Sequence, residues 1–333
     1  MQRSIFYTIF MFVLCTASAA SLAGDLLSRP LGKNGLGSPV QKSVLVVEFG
    51  KKSPAGSKLS DAIAQGAREF GALESLLLPD ERALEKMLET KADSGVGMVI
   101  LMHPQEMEAF DKLAPLYPDV HFTLIDAPRL TYAMNAQNVQ FKEAEGIFLL
   151  GAIAGIRGGA RVTNMAMEDT AHSRSMADFF TAGVKHINPE IEANSLLTMR
   201  PSPTQHTRLA TAIASAFQEG TSVLFSLDDE IIEHALRAAK LERKIVISGN
   251  PPTAGMDTSR LLTYLVKRYD LALLDVLRIY HHNQWHAGKI ELGVAGGYVD
   301  YSLNADNVEI FPKDSIDQIE TLKDYIGQGM FTR

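Results

Sequence analysis

The side chains best placed to do chemistry in this sequence are polar residues that follow predicted β-strands. In open parallel sheets, ligands lie beyond the carboxyl ends of the strands, so the loops after strands are the places to search. Carboxylate, amide, hydroxyl and ammonium groups in such loops can hydrogen-bond a small polar molecule. The predicted ligand-binding residues are Ser53, Asp126, Ser226, Asp228, Asn250 and Lys267.

Several of these residues also have a structural alternative. Asp126 ends an apolar strand, and it can accept hydrogen bonds from a ligand amine or hydroxyl, cap a helix or join two loops. Asp228 precedes a predicted helix, and capping that helix is the interpretation that we favour for it. Lys267 could pair with Asp270 or another surface acid, an interaction worth little. The residue types indicate a binding site without fixing which side chains form it.

No catalytic residue, cofactor or metal site is predicted. The sequence contains neither a Gly-x-x-x-x-Gly-Lys-Ser/Thr phosphate loop nor a Gly-x-Ser-x-Gly nucleophile elbow. His281, His282 and His286 lie near Trp285, but this spacing at a helix end lacks a third ligand of the geometry that zinc requires. We therefore expect a binding protein rather than an enzyme.

The elements that must position these side chains alternate between strand and helix. Segment 43–49 has the composition of a strand buried on both faces. Predicted strands cover residues 43–49, 73–78, 96–102, 121–126, 161–167, 195–198, 222–227, 244–248, 261–266, 289–294 and 299–303. Predicted helices cover residues 59–70, 105–116, 143–156, 176–187, 205–219, 230–241, 268–283 and 314–326, and Asp80 could cap a further helix that runs to about residue 91. Two similar halves of this kind indicate an α/β fold with two lobes, each a parallel sheet flanked by helices.

Glycines lie within and directly after the predicted helix 143–156. Gly151 and Gly155 are four residues apart and leave a shallow groove, where a neighbouring element can approach closely. Gly158 and Gly159 are expected to end the helix, because glycine adopts the left-handed terminating conformation without strain.

Composition suits a soluble globular protein. The chain has 333 residues, of which 46% are hydrophobic and 21% are charged, and its formal net charge is -7. This length suggests one large or two medium domains. An acidic chain without a concentrated basic patch argues against nucleic-acid binding.

The first residues have the parts of a secretory signal peptide. Residues 1–23 contain Arg3, an apolar run and the small residues Ala17 to Ala19, so we expect cleavage after Ala19 or Ala23. Cys15 is the sole cysteine, and the bulky residues before it make lipidation unexpected. Residues 24–42 are rich in Gly and Pro without apolar periodicity, which predicts a flexible arm. The expected location is the periplasm.

The central segment 138–189 resembles the basic membrane protein family, the purine-nucleoside-receptor type of solute-binding protein that serves ABC importers. That family has an Asn-Val strand, a Glu-Gly-x-Phe-Leu-x-Gly helix and a Phe-x-x-Gly-x-x-Ala-x-Asn-Pro helix end. The matching residues are Asn138, Val139, Glu145, Gly146, Phe148, Leu149, Gly151, Phe180, Gly183, Asn188 and Pro189. The similarity extends from about residue 43 to the C-terminus.

The resemblance implies a two-lobed periplasmic-binding-protein type I fold whose chain crosses between the lobes three times. We assign residues 43–159 and about 261–285 to the first lobe, and residues 160–260 and about 286–333 to the second. Lys267 matches the family's ligand-side lysine, and Asp126 matches its strand-end Asp. An ammonium in the cleft would favour a ligand with a carboxylate, phosphate or hydroxyl-rich edge. Replacing Lys267 by Met should then weaken binding while hardly changing the stability of the ligand-free protein.

The loop after the first predicted strand differs from the family's sequence. Ser53 matches, but Pro54 and Ala55 stand where the family has an aromatic ring and an amide. Proline has no π-face on which a base could stack. We therefore expect a periplasmic, monomeric solute-binding protein that captures a small polar ligand, not a standard nucleoside, for an ABC permease. The alternative is a degenerate family member that acts as a ligand sensor or accessory partner of a membrane signalling protein.

Overall fold

The computed structural model describes residues 42–50, 56–91, 95–198, 206–303, 310–311 and 313–329. The predicted leader, the predicted arm apart from Lys42, and Ser53 lie outside these residues. The described strands are β1 (Ser43–Phe49), β2 (Leu73–Leu78), β3 (Val96–Met102), β4 (His121–Ile125), β5 (Ala136–Phe141), β6 (Arg161–Ala166), β7 (Glu192–Leu197), β8 (Thr221–Ser226), β9 (Ile245–Ser248), β10 (Leu261–Lys267), β11 (Gly288–Leu292) and β12 (Val299–Tyr301). The described α-helices are α1 (Gly56–Phe70), α2 (Ala83–Lys91), α3 (Glu108–Leu113), α4 (Glu143–Arg157), α5 (Ala171–Ile187), α6 (His206–Gln218), α7 (Asp229–Glu242), α8 (Tyr269–His281) and α9 (Ile316–Gly327).

These strands form two six-stranded sheets, which confirms the predicted α/β fold with two lobes. The first sheet has the order β11-β5-β4-β3-β1-β2, and all its neighbouring strands are parallel. The second has the order β12-β10-β9-β8-β6-β7 and is parallel except at its edge, where β12 runs antiparallel to β10. Every residue of β3 is buried, as expected for a strand covered on both faces.

The chain passes between the sheets after β5, after β10 and after β11. The lobe boundaries predicted from the sequence place β10 in the first lobe and β11 in the second, and both assignments are wrong. β10 pairs with β9 in the second sheet, and β11 pairs with β5 in the first. Helix α4, which the prediction gives to the first lobe, packs on α5 and on strands of the second. Burial periodicity identifies a strand but not its partner, so the crossings could not be placed from the pattern.

Helices α4 and α5 pack with unusually close backbones, as the glycines of α4 predict. A Cβ atom at Gly151 would overlap the carbonyl oxygen of Phe180, and one at Gly183 would overlap the carbonyl oxygen of Phe148. Gly158 follows the last residue of α4 with φ at 75°, so the predicted stop is confirmed. The two helices bring the loops at their N-termini to the same end of the second sheet.

Helix α5 begins at Ala171, earlier than the apolar periodicity predicts. Thr170 and Ser173 form a capping box, in which each side chain bonds the other residue's backbone N–H. The capping box extends the helix over polar residues that carry no periodic signal, and it places the first turn of α5 beside the ends of β6 and β8.

Candidate functional site

A cavity of about 270 Å³ lies at the carboxyl ends of the second sheet. Its wall comes from the last residues of strands, from the segments that follow strands and from the N-terminal turns of α4 and α5. The lining residues are Glu143, Ile147, Asn164, Met165, Ala166, Glu168, Thr170, His172, Ser173, Leu227, Asp228, Gly249, Asn250 and Leu265. This position is where ligands bind in open parallel sheets, so the cavity is the candidate ligand site. None of the lining residues that the structure describes is Phe, Tyr or Trp.

Asp228 lines this cavity, but it does not cap the helix that follows. It occupies the N-cap position of α7 without a side-chain capping bond. Its Oδ2 atom instead accepts a hydrogen bond of 2.8 Å from the backbone N–H of Met167. The capping prediction is wrong because the loop after the neighbouring strand β6 supplies a competing donor. The carboxylate therefore ties two adjacent strand ends together at the cavity wall.

Asn250 also lines the cavity, whereas Ser226 is fully buried and is not among the lining residues. The Ser226 hydroxyl accepts a hydrogen bond of 3.0 Å from the backbone N–H of Asp228 and so shapes the turn after β8. The Asn250 amide donates to the carbonyl of Leu227 at 2.8 Å and to Asp229 at 3.2 Å. Both residues hold the loops that form the wall, and Asn250 alone presents atoms to the cavity.

Lys267 belongs to a polar group that we call the interlobe network, formed by His103, Asp126, Glu143, Lys267 and Tyr269. The Lys267 ammonium donates to Asp126 at 2.9 Å and forms a close ion pair with Glu143. The Tyr269 hydroxyl donates to the same carboxylate oxygen of Asp126, and His103 Nδ1 lies 3.2 Å from it. Since Asp126 follows β4 and Lys267 ends β10, the network joins the two sheets. Its Glu143 also lines the cavity.

Burial and mutual contact set the charges within this network. Burial opposes ionisation of Asp126, but the hydrogen bond from His103 and the charge of Lys267 together hold the pKa of its carboxyl well below the usual range. Burial also opposes the charge on Lys267, yet Asp126 and Glu143 raise the pKa of its ammonium. Burial, followed by the charge of Asp126, raises the pKa of the Tyr269 phenol. At neutral pH the network therefore holds the ammonium of Lys267, the ionised carboxylate of Asp126 and the neutral phenol of Tyr269.

Two of the four described non-glycine residues with positive φ lie in this network. Asp126 and His103 have positive φ values of 61° and 48°, in the left-handed region that non-glycine residues rarely adopt. They follow the adjacent strands β4 and β3, and the backbone N–H of His103 donates to Ile125 at 2.8 Å. Strained backbone of this kind concentrates at functional sites.

Lys267 does not pair with Asp270, the alternative partner that the sequence suggests. Asp270 is bonded by Arg268, at 2.7 Å between Nη2 and Oδ2, rather than by Lys267. Sequence reasoning missed His103, Glu143 and Tyr269. The rule that placed Asp126, a polar residue just after a buried strand, would also have found His103. Glu143 and Tyr269 are the first residues of helices, and no local signal marks them as parts of a site.

Two lobes of parallel sheet with a cavity at the strand ends are the arrangement of the periplasmic-binding-protein type I fold. The chain belongs to the Bmp family, whose model, described as ABC transporter substrate-binding protein PnrA-like, matches residues 41–329. Its role is that of a substrate-binding protein, and the family is not an enzyme family. Among curated proteins, none matches the chain by sequence.

Solved structures share this fold at low sequence identity. An ABC transporter solute-binding protein from Conexibacter woesei DSM 14684 has 16% identity and a TM-score of 0.69, over 87% of this chain and 98% of that one. A transcriptional activator of the comK gene from Bacillus halodurans has 18% identity and a TM-score of 0.68, over 87% and 100%. A solute-binding protein of an Aeropyrum pernix K1 ABC transporter has 19% identity and a TM-score of 0.63, over 87% and 92%.

Two further properties concern the described part of the chain. No helix in it is long and apolar enough to cross a membrane. No group of three or more His, Cys, Asp or Glu side chains in it is placed to hold a metal ion.

Proposed function

We propose that this protein is exported and captures a small polar ligand in its cavity for delivery to an ABC importer. The observation that carries the proposal is the cavity itself, which adjoins the interlobe network through Glu143. A ligand bound there would contact the segment through which the chain crosses from one lobe to the other. Binding would then bias a hinge equilibrium between the lobes, as differential contact with two conformations requires.

A thermal-shift screen of the mature protein over nucleosides, sugars and amino-acid derivatives tests the binding function. A compound that fits the cavity at a hundred times its dissociation constant should stabilise the fold by about 2.7 kcal/mol. Asp228→Asn should reduce the shift, because that carboxylate lines the cavity. If substitutions of cavity residues such as Asp228 leave the binding of a confirmed ligand unaffected, the binding site lies outside the cavity.

We expect adenosine, guanosine and inosine to bind weakly. Base stacking on aromatic side chains contributes about 1–3 kcal/mol per base, and the described cavity lining includes no Phe, Tyr or Trp. A base without an aromatic contact on either of its two faces should lose a factor of about 30 to 20,000 in affinity. Isothermal titration calorimetry provides the measurement, and a sub-micromolar dissociation constant for any of these nucleosides would contradict the expectation.

We also expect export without a lipid anchor. Phe12, Val13 and Leu14 are too bulky for the positions that precede a lipidated cysteine, while Ala17 to Ala19 fit a cleavage site. Mass spectrometry of the protein purified from its native envelope should find an unmodified N-terminus at Ala20 or Gly24. A mature chain that begins with a diacylglyceryl group on Cys15 would rule this out.

The second candidate function is that of a ligand sensor or accessory partner of a membrane signalling protein. The described cavity lining has no Phe, Tyr or Trp, and this supports the second candidate, since a cleft that has lost nucleoside contacts can serve a different function. Crosslinking in cells separates the candidates, because an importer subunit would recover its permease and a sensor would recover a signalling protein. A solved structure of an XylFII-LytSN complex, 12% identical to this chain, has the same fold at a TM-score of 0.57.

A further inference from the structure

The described wall of the cavity carries more negative than positive charge, which bears on the ligand if the proposed binding function holds. Glu143, Glu168 and Asp228 line it, and among the described lining residues His172 alone is able to carry a positive charge. His172 Nε2 lies 3.8 Å from Glu143, so even this group is directed to an acid.

The ammonium of Lys267, close to the cavity, does not offset the excess of negative charge on the wall. Lys267 is 16% exposed and is bound by Asp126 at 2.9 Å as well as by Glu143. A single ammonium that faces two carboxylates leaves the group with a net negative charge. The lysine is therefore occupied within the protein rather than held ready for an anion.

The helix N-termini at the cavity do not offset this negative charge either. An N-terminus carries about half a positive charge from the aligned peptide dipoles. Glu143 lies in the first turn of α4, and Asp228 precedes a first turn of α7 that is itself acidic. The capping box of Thr170 and Ser173 uses N–H groups at the start of α5. Acids or caps thus already offset each of these helix ends.

We propose that the cavity takes a small molecule that carries a protonated amino group together with hydroxyl or amide groups. The ammonium lies among Glu143, Glu168 and Asp228, and Asn164 and Asn250 face the hydroxyl or amide part of the ligand. The site itself rests on the cavity and its place in the fold, and the acidic residues decide only the charge of its occupant. This charge is opposite to the one that Lys267 suggests in the sequence.

The test uses full-length mature protein and matched probes that differ in charge on one carbon framework. The probes are glucosamine, glucose and glucuronate, with 1,4-diaminobutane, 1,4-butanediol and succinate as a second set. Calorimetry at pH 7 should give binding by an amine at least about ten-fold tighter than by its neutral or anionic counterpart. That ratio corresponds to the lower range for a hydrogen bond with a charged group.

Charge-neutralising variants locate the binding. Asp228→Asn should weaken the amine about ten-fold, and Glu168→Gln, at a more exposed position, should weaken it several-fold. Glu242→Gln removes the same charge at the far end of α7, about 20 Å away, and should leave affinity unchanged.

The outcomes separate this inference from the function on which it rests. Preferred binding of a neutral or anionic probe would overturn the charge inference and leave the binding function intact. An amine affinity that stays unchanged in both Asp228→Asn and Glu168→Gln would show that the amine binds outside the cavity. Absence of binding by every probe, together with no stabilising compound in the thermal-shift screen, would count against both.

Discussion

Replacing Lys267 by methionine is expected to lower the free energy of unfolding of the ligand-free protein by about 3 kcal/mol. Methionine keeps most of the stem volume but removes the ammonium that lies between Asp126 and Glu143. Asp126 is 13% exposed, so its carboxylate would remain buried without its counter-charge. Removal of one partner of a buried ion pair is strongly destabilising for this reason. Urea unfolding of the two proteins at pH 7 gives the measurement.

A matched control is Lys289→Met. Lys289 pairs with Glu291 at 2.6 Å, but these side chains are 44% and 49% exposed. Water screens such a pair, so its loss should change stability by less than about 1 kcal/mol. Similar losses in the two variants would show that the interlobe network adds nothing beyond an ordinary surface pair.

A double-mutant cycle isolates the contact with Asp126. Asp126→Asn removes the carboxylate charge, so the added change Lys267→Met should cost less in that background than in the native protein. Contacting pairs in one network show coupling of about 0.5–3 kcal/mol. Strict additivity would contradict the pairing. The sequence alone predicts the reverse pattern for Lys267→Met, with weaker ligand binding and little change in ligand-free stability.

Gly183→Ala is the second change with a large expected effect, a loss of about 3 kcal/mol in the free energy of unfolding. A Cβ atom at Gly183 would overlap the carbonyl oxygen of Phe148 in the facing helix. Backbone atoms cannot rotate away as side chains do, so α4 and α5 would have to separate. Gly151→Ala should behave alike, because its Cβ would overlap the carbonyl oxygen of Phe180.

Gly66→Ala in α1 serves as the control. The nearest atom to a Cβ at Gly66 is the end of the flexible Leu277 side chain, 2.6 Å away. Alanine also favours the helix over glycine by about 1 kcal/mol, which offsets part of the local adjustment. The stability change should therefore stay within about 1 kcal/mol. Equal losses at Gly66 and Gly183 would show that the close backbone approach carries no special cost.

The loops after strands β8 and β9 carry three of the predicted ligand-binding residues. The rule that ligands lie beyond strand ends placed Asp228 and Asn250 at the cavity wall, where the structure finds them. It failed to separate these residues from Ser226, which follows the same logic but is fully buried. Whether a strand-end side chain faces a cavity depends on the neighbouring loops, and adjacent strands of this sheet come from distant parts of the chain.

The sequence by itself determined the alternation of strands and helices, the glycines that let α4 and α5 approach, and the two-lobed α/β class. Each of these depends on local periodicity or on residues a few positions apart, and such patterns record burial directly. The tertiary structure alone decided that β10 lies in the second sheet and that Lys267 bonds Asp126, from which it is 141 residues distant. The crossings between the sheets bring such residues together, and their path depends on the packing of whole elements rather than on any local pattern.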